Sequence, residues 1–252
     1  MPTKLPWREP PDGVPDVIGT TPRSALADPG PRNGTMSASA RVYEALRRQI
    51  IGLDLAPDAI LDRAEIADAF KVSQSPVREA ILRLEQDGLV LSFPQSRTIV
   101  SRIDVDRIRE EQFLRLSVES EVVRQLAESG EPQTLVKAKG LLRMQQALVG
   151  DVEQIELFRQ LDDSFHETLF AGVGQISLHR HIVSRSGHLA RLRLLELPKK
   201  GKMRAVLDAH QAIVDAIFTG DATAAAEAMR RHLSGTISRI EELRQEHPAF
   251  FS

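Results

Sequence analysis

The chain has 252 residues, 42% of them hydrophobic, and a formal net charge of −2, which is length and apolar content enough for two buried cores. It contains no cysteine, which excludes a disulfide framework and thiolate metal sites and suits a reducing compartment. No apolar run approaches a membrane span and no charged start precedes an apolar stretch, so a cytoplasmic protein with no membrane partner is expected.

Residues 1–36 are rich in Pro and Gly and lack a periodic apolar pattern, so they read as a flexible tail that cannot offset its ordering entropy. Met36 is a candidate start of the folded part. From Ala40 a helical period appears: Val42, Tyr43, Leu46 and Ile50 share one face, and Gly52 ends the helix. Ile60-Leu61 reads as a short extended piece. A brief second helix is expected over 63–70, with Ile66, Ala67 and Phe70 facing inward. After the turn Val72-Ser73-Gln74, Ser75 and Pro76 read as an N-cap followed by Pro at the first helical position. That third helix should run to about Asp87, burying Val77, Ile81 and Leu84, with Gly88 closing it. Residues 89–93 and 98–100 are strand-like and joined by a hairpin tip, Pro94-Gln95-Ser96-Arg97.

Three helices and a two-stranded ribbon describe a winged helix-turn-helix over 37–103, whose third helix would lie in the major groove of double-stranded operator DNA. Gln74, Ser75, Arg78 and Arg83 are candidates to meet base edges, Arg97 to meet the minor groove or a phosphate, and Arg47 with Arg48 to meet the backbone. Overall charge gives no support, since residues 37–103 hold nine Lys/Arg against nine Asp/Glu. The reading rests on the motif and on where single charges fall.

After Ile103 strands cease. Six helical segments are expected, at 104–129, 132–149, 151–171, 175–197, 202–219 and 221–246, separated by Gly, Pro or N-capping Asp. They do not repeat one another, so residues 104–252 predict an all-α antiparallel bundle rather than a solenoid. Asp162 and His166 are four apart and share a helix face. His210 lies ten residues before Gly220 and His232 twelve after it. An antiparallel pair turning there would bring both imidazoles to about 15–18 Å from the turn, nearly level. One carboxylate and three imidazoles converging inside a bundle suit a divalent transition metal. His179, His181, His188 and His247 lack such partners and read as surface or packing residues.

Two resemblances bear on these readings. Tyr43-Glu44-Ala45-Leu46-Arg47, Ile50-Ile51-Gly52, Leu61 and the long stretch from Val72 to Val90 closely resemble the GntR family of bacterial regulators. Asp162-Asp163-Ser164-Phe165-His166, the segment Ala209 to Ile217 with Gly220-Asp221, and Met229 to Leu233 resemble the FCD ligand-binding domain of the FadR subfamily. The second resemblance implies that Asp162, His166, His210 and His232 hold a metal, zinc or nickel. It also implies a small organic-acid effector and a homodimer. Arg115 and Glu119 resemble the Arg-x-x-x-Glu of that domain's opening helix. Arg115, Arg191 and Arg193 are candidates for a charge-assisted contact with an acid that fills the coordination positions left by four protein ligands.

The sequence departs from these families at four places. Gln74 stands where Arg is usual, which puts the usual operator in doubt. Pro57-Asp58 replaces Pro-Gly, Gln175 replaces Asn, and Ala209 replaces a Glu that could support an imidazole. The expected function is a ligand-responsive transcription regulator, a repressor and not an enzyme. Two alternatives stand beside it: a metal-dependent hydrolase fused to a DNA reader, and a DNA-binding protein with a purely structural metal site.

Overall fold

The structure is a computed structural model that describes residues 36–93 and 97–252. The expected tail, apart from Met36, and Pro94, Gln95 and Ser96 of the hairpin tip lie outside the described residues. The chain forms two compact units, one reaching to Asp104 and including His247–Ser252, the other Val105–Glu246.

In the first unit α1 (Ala38–Ile51) is capped by Ser37, whose side chain accepts from the Ala40 amide. It buries Val42, Leu46 and Ile50, the face its period predicts. Asp62 caps α2 (Arg63–Phe70), accepting from the Ala64 and Glu65 amides. Helix α3 (Gln74–Gln86) buries Val77, Ala80, Ile81 and Leu84 against α1 and α2. It begins two residues before the expected Pro76. Ser73 is the N-cap, so Pro76 is the third helical residue, and a missing N–H still costs nothing there because first-turn amides have no intrahelical acceptor. Gly88, at φ 73°, turns the chain out of α3.

Strands β1 (Val90–Ser92) and β2 (Thr98–Val100) pair antiparallel, with Val90 opposite Val100. Ile60 bridges to Ile99, and the Leu61 amide donates to the Thr98 carbonyl at 2.8 Å, so the extended piece joins the ribbon's edge. The last residues, expected with the bundle, group with this unit instead. The Ile103 amide donates to the Phe250 carbonyl at 2.7 Å, the Ser252 amide donates back to Ile103 at 3.1 Å, and Phe251 is buried. That pairing satisfies edge amides which a strand end would otherwise leave open.

The second unit is entirely helical among its described residues: α4 (Val105–Ser129), α5 (Pro132–Leu148), α6 (Ile155–Gly172), α7 (Ile176–Arg185), α8 (Gly187–Glu196), α9 (Lys202–Phe218), α10 (Ala222–Ile237) and α11 (Ile240–Glu246). Two of the expected helices are each broken in two. The break between α7 and α8 falls at Ser186, whose hydroxyl bonds back to the Ile182 carbonyl at 2.8 Å, just before Gly187. The other falls at Ser238 and Arg239; beyond it Ile240 and Leu243 are buried and Arg239 reaches Glu196. Glu111 of α4 accepts the first amides of α8, from His188 at 3.2 Å and Leu189 at 2.7 Å. Gly220, at φ 73°, makes the turn that sets α9 beside α10. Val123, Phe165, Leu169, Ile213 and Met229 form the centre of the core that α4, α6, α9 and α10 share.

Candidate metal centre and nucleic-acid interface

On α3, Gln74, Ser75 and Arg78 all lie in the first turn and a half and are exposed. Gln74, Arg78 and Leu82 stand four apart and form one outward ridge. Arg83 points elsewhere. It is about 140° around the helix from Arg78, and its guanidinium lies 3.8 Å from the Tyr43 ring centroid. Tyr43 in turn donates to Asp87 at 2.5 Å, and burial together with that carboxylate pushes its hydroxyl up to about 12. Arg83 therefore ties α3 to α1. Arg47 is half-buried on α1. Arg97 is exposed at the foot of the hairpin, 5.7 Å from the Phe93 ring.

In the helical unit α6 brings Asp162 and His166, α9 brings His210 and α10 brings His232 to one buried point. The ligand-type atoms of the four residues all lie within 4.8 Å of one another. His232 Nε2 is 3.3 Å from both His210 Nε2 and His166 Nε2, and His210 Nε2 is 3.4 Å from Asp162 Oδ1. Phe165 stacks on His210 with centroids 4.1 Å apart and closes the site from the core.

Neighbours fix the outer side of two of these rings. His166 Nδ1 is 2.6 Å from Glu119 Oε2, and Glu119 is itself held by Arg115 at 2.7 Å. His210 Nδ1 is 3.0 Å from Gln145 Oε1. Both partners offer acceptor oxygens, which favours the tautomer with the proton on Nδ1 and the Nε2 lone pair turned inward, although at His166 the contact is close without the alignment of a hydrogen bond. Burial pushes His210 down to about 3 and His232 well below the ordinary imidazole value, which keeps both rings neutral. Burial would raise the Asp162 and Glu119 carboxyls, but the guanidiniums of Arg193 and Arg115 outweigh it and hold both well below the usual range.

Asp162 Oδ1 is buried and accepts no hydrogen bond, while Oδ2 takes the Arg193 guanidinium. A buried carboxylate oxygen left without a donor is costly, and here it faces inward imidazole nitrogens that also lack a proton. Two further acceptors cannot satisfy it; a cation can. The donor set therefore fits a divalent transition metal.

A small pocket, narrow in its closed part, opens on His232. Arg115, Arg193, Lys202, Gln112 and Thr236 supply its polar wall. Arg115 and Arg193 thus stand where an acid could reach them. Arg191 does not line this cavity. It is fully buried on α8, near His188 at 3.2 Å, and burial pushes it down to about 10.

Three residues of the site carry little or no sequence signal of their role in it. Glu119 is visible only through the Arg115 spacing, Gln145 comes from α5, and Lys202 from the start of α9, where its ammonium lies 2.8 Å from buried Glu196. The support for His210 arrives from Gln145, across the bundle, rather than from its chain neighbour Ala209.

Comparison with known proteins agrees with this architecture. Residues 38–100 match the family described as bacterial regulatory proteins, gntR family, and residues 112–235 match the FCD domain. An HTH-type transcriptional regulator from an unstable DNA locus of Streptomyces ambofaciens is 34% identical over 211 residues, covering 84% of this chain and 88% of its own. The HTH-type transcriptional repressor RspR of Escherichia coli strain K12 is 28% identical, covering 87% and 96%. Among solved structures, E. coli McbR/YncC superimposes with a TM-score of 0.66 at 22% identity, covering 84% of this chain and all of that one. That last likeness speaks for the fold.

Proposed function

Because this chain belongs to the GntR family of bacterial regulatory proteins and carries an FCD domain, we propose that it is a repressor released from its operator by a small carboxylate bound beside a metal ion. Residues 37–103 are its DNA-binding domain and the helical unit its sensor. The observation that carries the reading is the cavity walled by Arg115, Arg193 and Lys202 that opens on His232, one of the four converging ligands.

Asp162, His166, His210 and His232 would hold zinc or nickel, which supplies a Lewis-acidic centre for an acid's oxygens. Glu119 and Gln145 orient two of the imidazoles by their Nδ1 protons. Arg115 and Arg193 neutralise carboxylates at the cavity wall and supply the charge-assisted donors for an incoming one. The four ligands come from three helices, so an acid held there favours one arrangement of α6, α9 and α10 over another. Only that difference in affinity shifts the population and, through the chain at Asp104, the DNA-reading unit. A hydrolase is less well supported: Glu119 and Asp162, the carboxylates at the centre, are both engaged by arginines, so neither serves as a general base.

One winged helix contacts too few bases for genomic specificity, so a homodimer on two half-sites is the expected assembly, in the cytoplasm where the chromosome lies. Selection from a random duplex library by the purified chain should return a two-fold symmetric site. On that site Arg78→Ala should lose about 1–3 kcal/mol of discrimination against the scrambled sequence. Selection of no consensus, or discrimination within twofold of wild type, would contradict the DNA reading.

A further inference from the structure

Between α3 and the two strands the winged unit has a concave strip, and three arginines from three elements border it. Arg63 belongs to the first turn of α2, Arg78 to α3, and Arg97 to the foot of the hairpin. Phe93, 45% exposed, forms the floor between them. All three arginines are exposed, and among the described residues none is paired with a carboxylate. Other arginines of this unit are engaged: Arg102 is 2.8 Å from Asp58, and Arg83 lies over Tyr43. The two carboxylates that border the strip are used by the backbone. Asp62 caps α2 through the Ala64 and Glu65 amides, and Glu85 accepts the Ser92 amide at 3.3 Å. The strip thus sets three arginines, none in an ion pair among the described residues, against two carboxylates held by the backbone, a net positive edge on an apolar floor that is fitted to a partner with anions in a row.

In a winged helix-turn-helix the recognition helix enters the major groove and the hairpin follows the neighbouring minor groove. The strand that separates those grooves must pass over the strip between α3 and the hairpin. We infer that Arg63 is a further DNA contact, holding a phosphate of that strand while Arg78 reads bases on one side and Arg97 lies on the other. Nothing in the helix-turn-helix spacing points to Arg63, because it precedes the recognition helix by eleven residues. The inference rests on the DNA-binding reading above, and it predicts a contact of a different kind from Arg78: electrostatic and indifferent to sequence.

The test is fluorescence-anisotropy titration of the full chain on a 30-base-pair random-sequence duplex between 50 and 200 mM salt. Each phosphate neutralised contributes about 0.9 to the log–log salt slope. Arg63→Ala should make the slope shallower by about 0.9, so that the wild-type advantage shrinks about 3.5-fold across that range. Arg63→Lys should restore the slope. On the selected site and on the random duplex the Arg63→Ala loss should be equal, while the Arg78→Ala loss is larger on the selected site. An unchanged slope in Arg63→Ala would overturn the assignment. So would an equal change in Arg143→Ala, an exposed arginine of α5, since the effect would then be net charge alone. Wild type that fails to bind the duplex at 50 mM salt would overturn the DNA reading itself, and this one with it.

Discussion

The two candidate sites of this chain are built in opposite ways. At the metal centre the donors are withdrawn from water and the groups around them are held in turn, His166 by Glu119, Glu119 by Arg115, His210 by Gln145. At the candidate DNA-reading surface Gln74, Ser75 and Arg78 stand in solvent on α3, whose other face is packed in the core, and Arg97 stands in solvent just before β2. The contrast follows from what each partner brings. A metal ion gives up its hydration shell on binding and needs preoriented donors to replace it, so supporting bonds weigh heavily in affinity. A duplex brings its own charge and shape, so exposed cations on a well-packed helix suffice. A buried site should therefore fail when a supporting residue is removed, and an exposed one should lose a single contact at a time.

The largest effect should come from removing a ligand. His210→Ala should take metal content from about one ion per chain to background by elemental analysis, while far-ultraviolet circular dichroism stays helical. Full metal content would break the assignment. A supporting residue should matter next: Gln145→Leu keeps all four ligands yet should weaken metal binding about 10–100-fold in a chelator competition. Equal affinity would mean that the dry site does not depend on its support, and the contrast drawn above would fail.

A smaller effect should appear with pH, away from the metal ligands. Burial pushes Glu111 up from 4.5 to about 7 despite the two amides it accepts and the neighbouring Arg191 and Arg107. The folded chain then holds a proton that the unfolded chain releases above 4.5, so this group's contribution to stability falls as pH rises from 4.5 through 7. Between pH 5.5 and 8 the loss amounts to about 2 kcal/mol. Glu111→Gln should flatten that part of the pH dependence and be the more stable protein at pH 8, read as the urea midpoint of the full chain at both pH values. A pH dependence identical to wild type would remove Glu111 from the account.

The same contrast explains what the sequence reveals. The reading helix is legible because its signals are local: the turn at Val72 and Ser73, the period of Val77, Ile81 and Leu84, and Gly88. Its start is misplaced by two residues because Pro76 fits the third helical position as well as the first. His210 and His232 are legible because one turn at Gly220 makes their spacing a distance. Glu119 and Gln145 are not legible as supports, since each meets its imidazole only when α4 and α5 pack on α6 and α9, and no local spacing encodes that packing. Arg191 and Arg83 show the converse. Both have the right charge near the right place, but burial beside His188 and stacking on Tyr43 commit them elsewhere. The pairing of Phe250 and Ser252 with Ile103 joins residues almost 150 positions apart, beyond any pattern in the chain.

The most direct test of the account is the affinity of the zinc-loaded chain for its selected operator, with and without a chelating hydroxy acid such as citrate or malate, beside His210→Ala under the same conditions. At least one such acid should weaken operator binding tenfold or more in the wild type. His210→Ala should bind the operator like the acid-free wild type and ignore the acid. An acid response of equal size in metal-free His210→Ala would contradict the account.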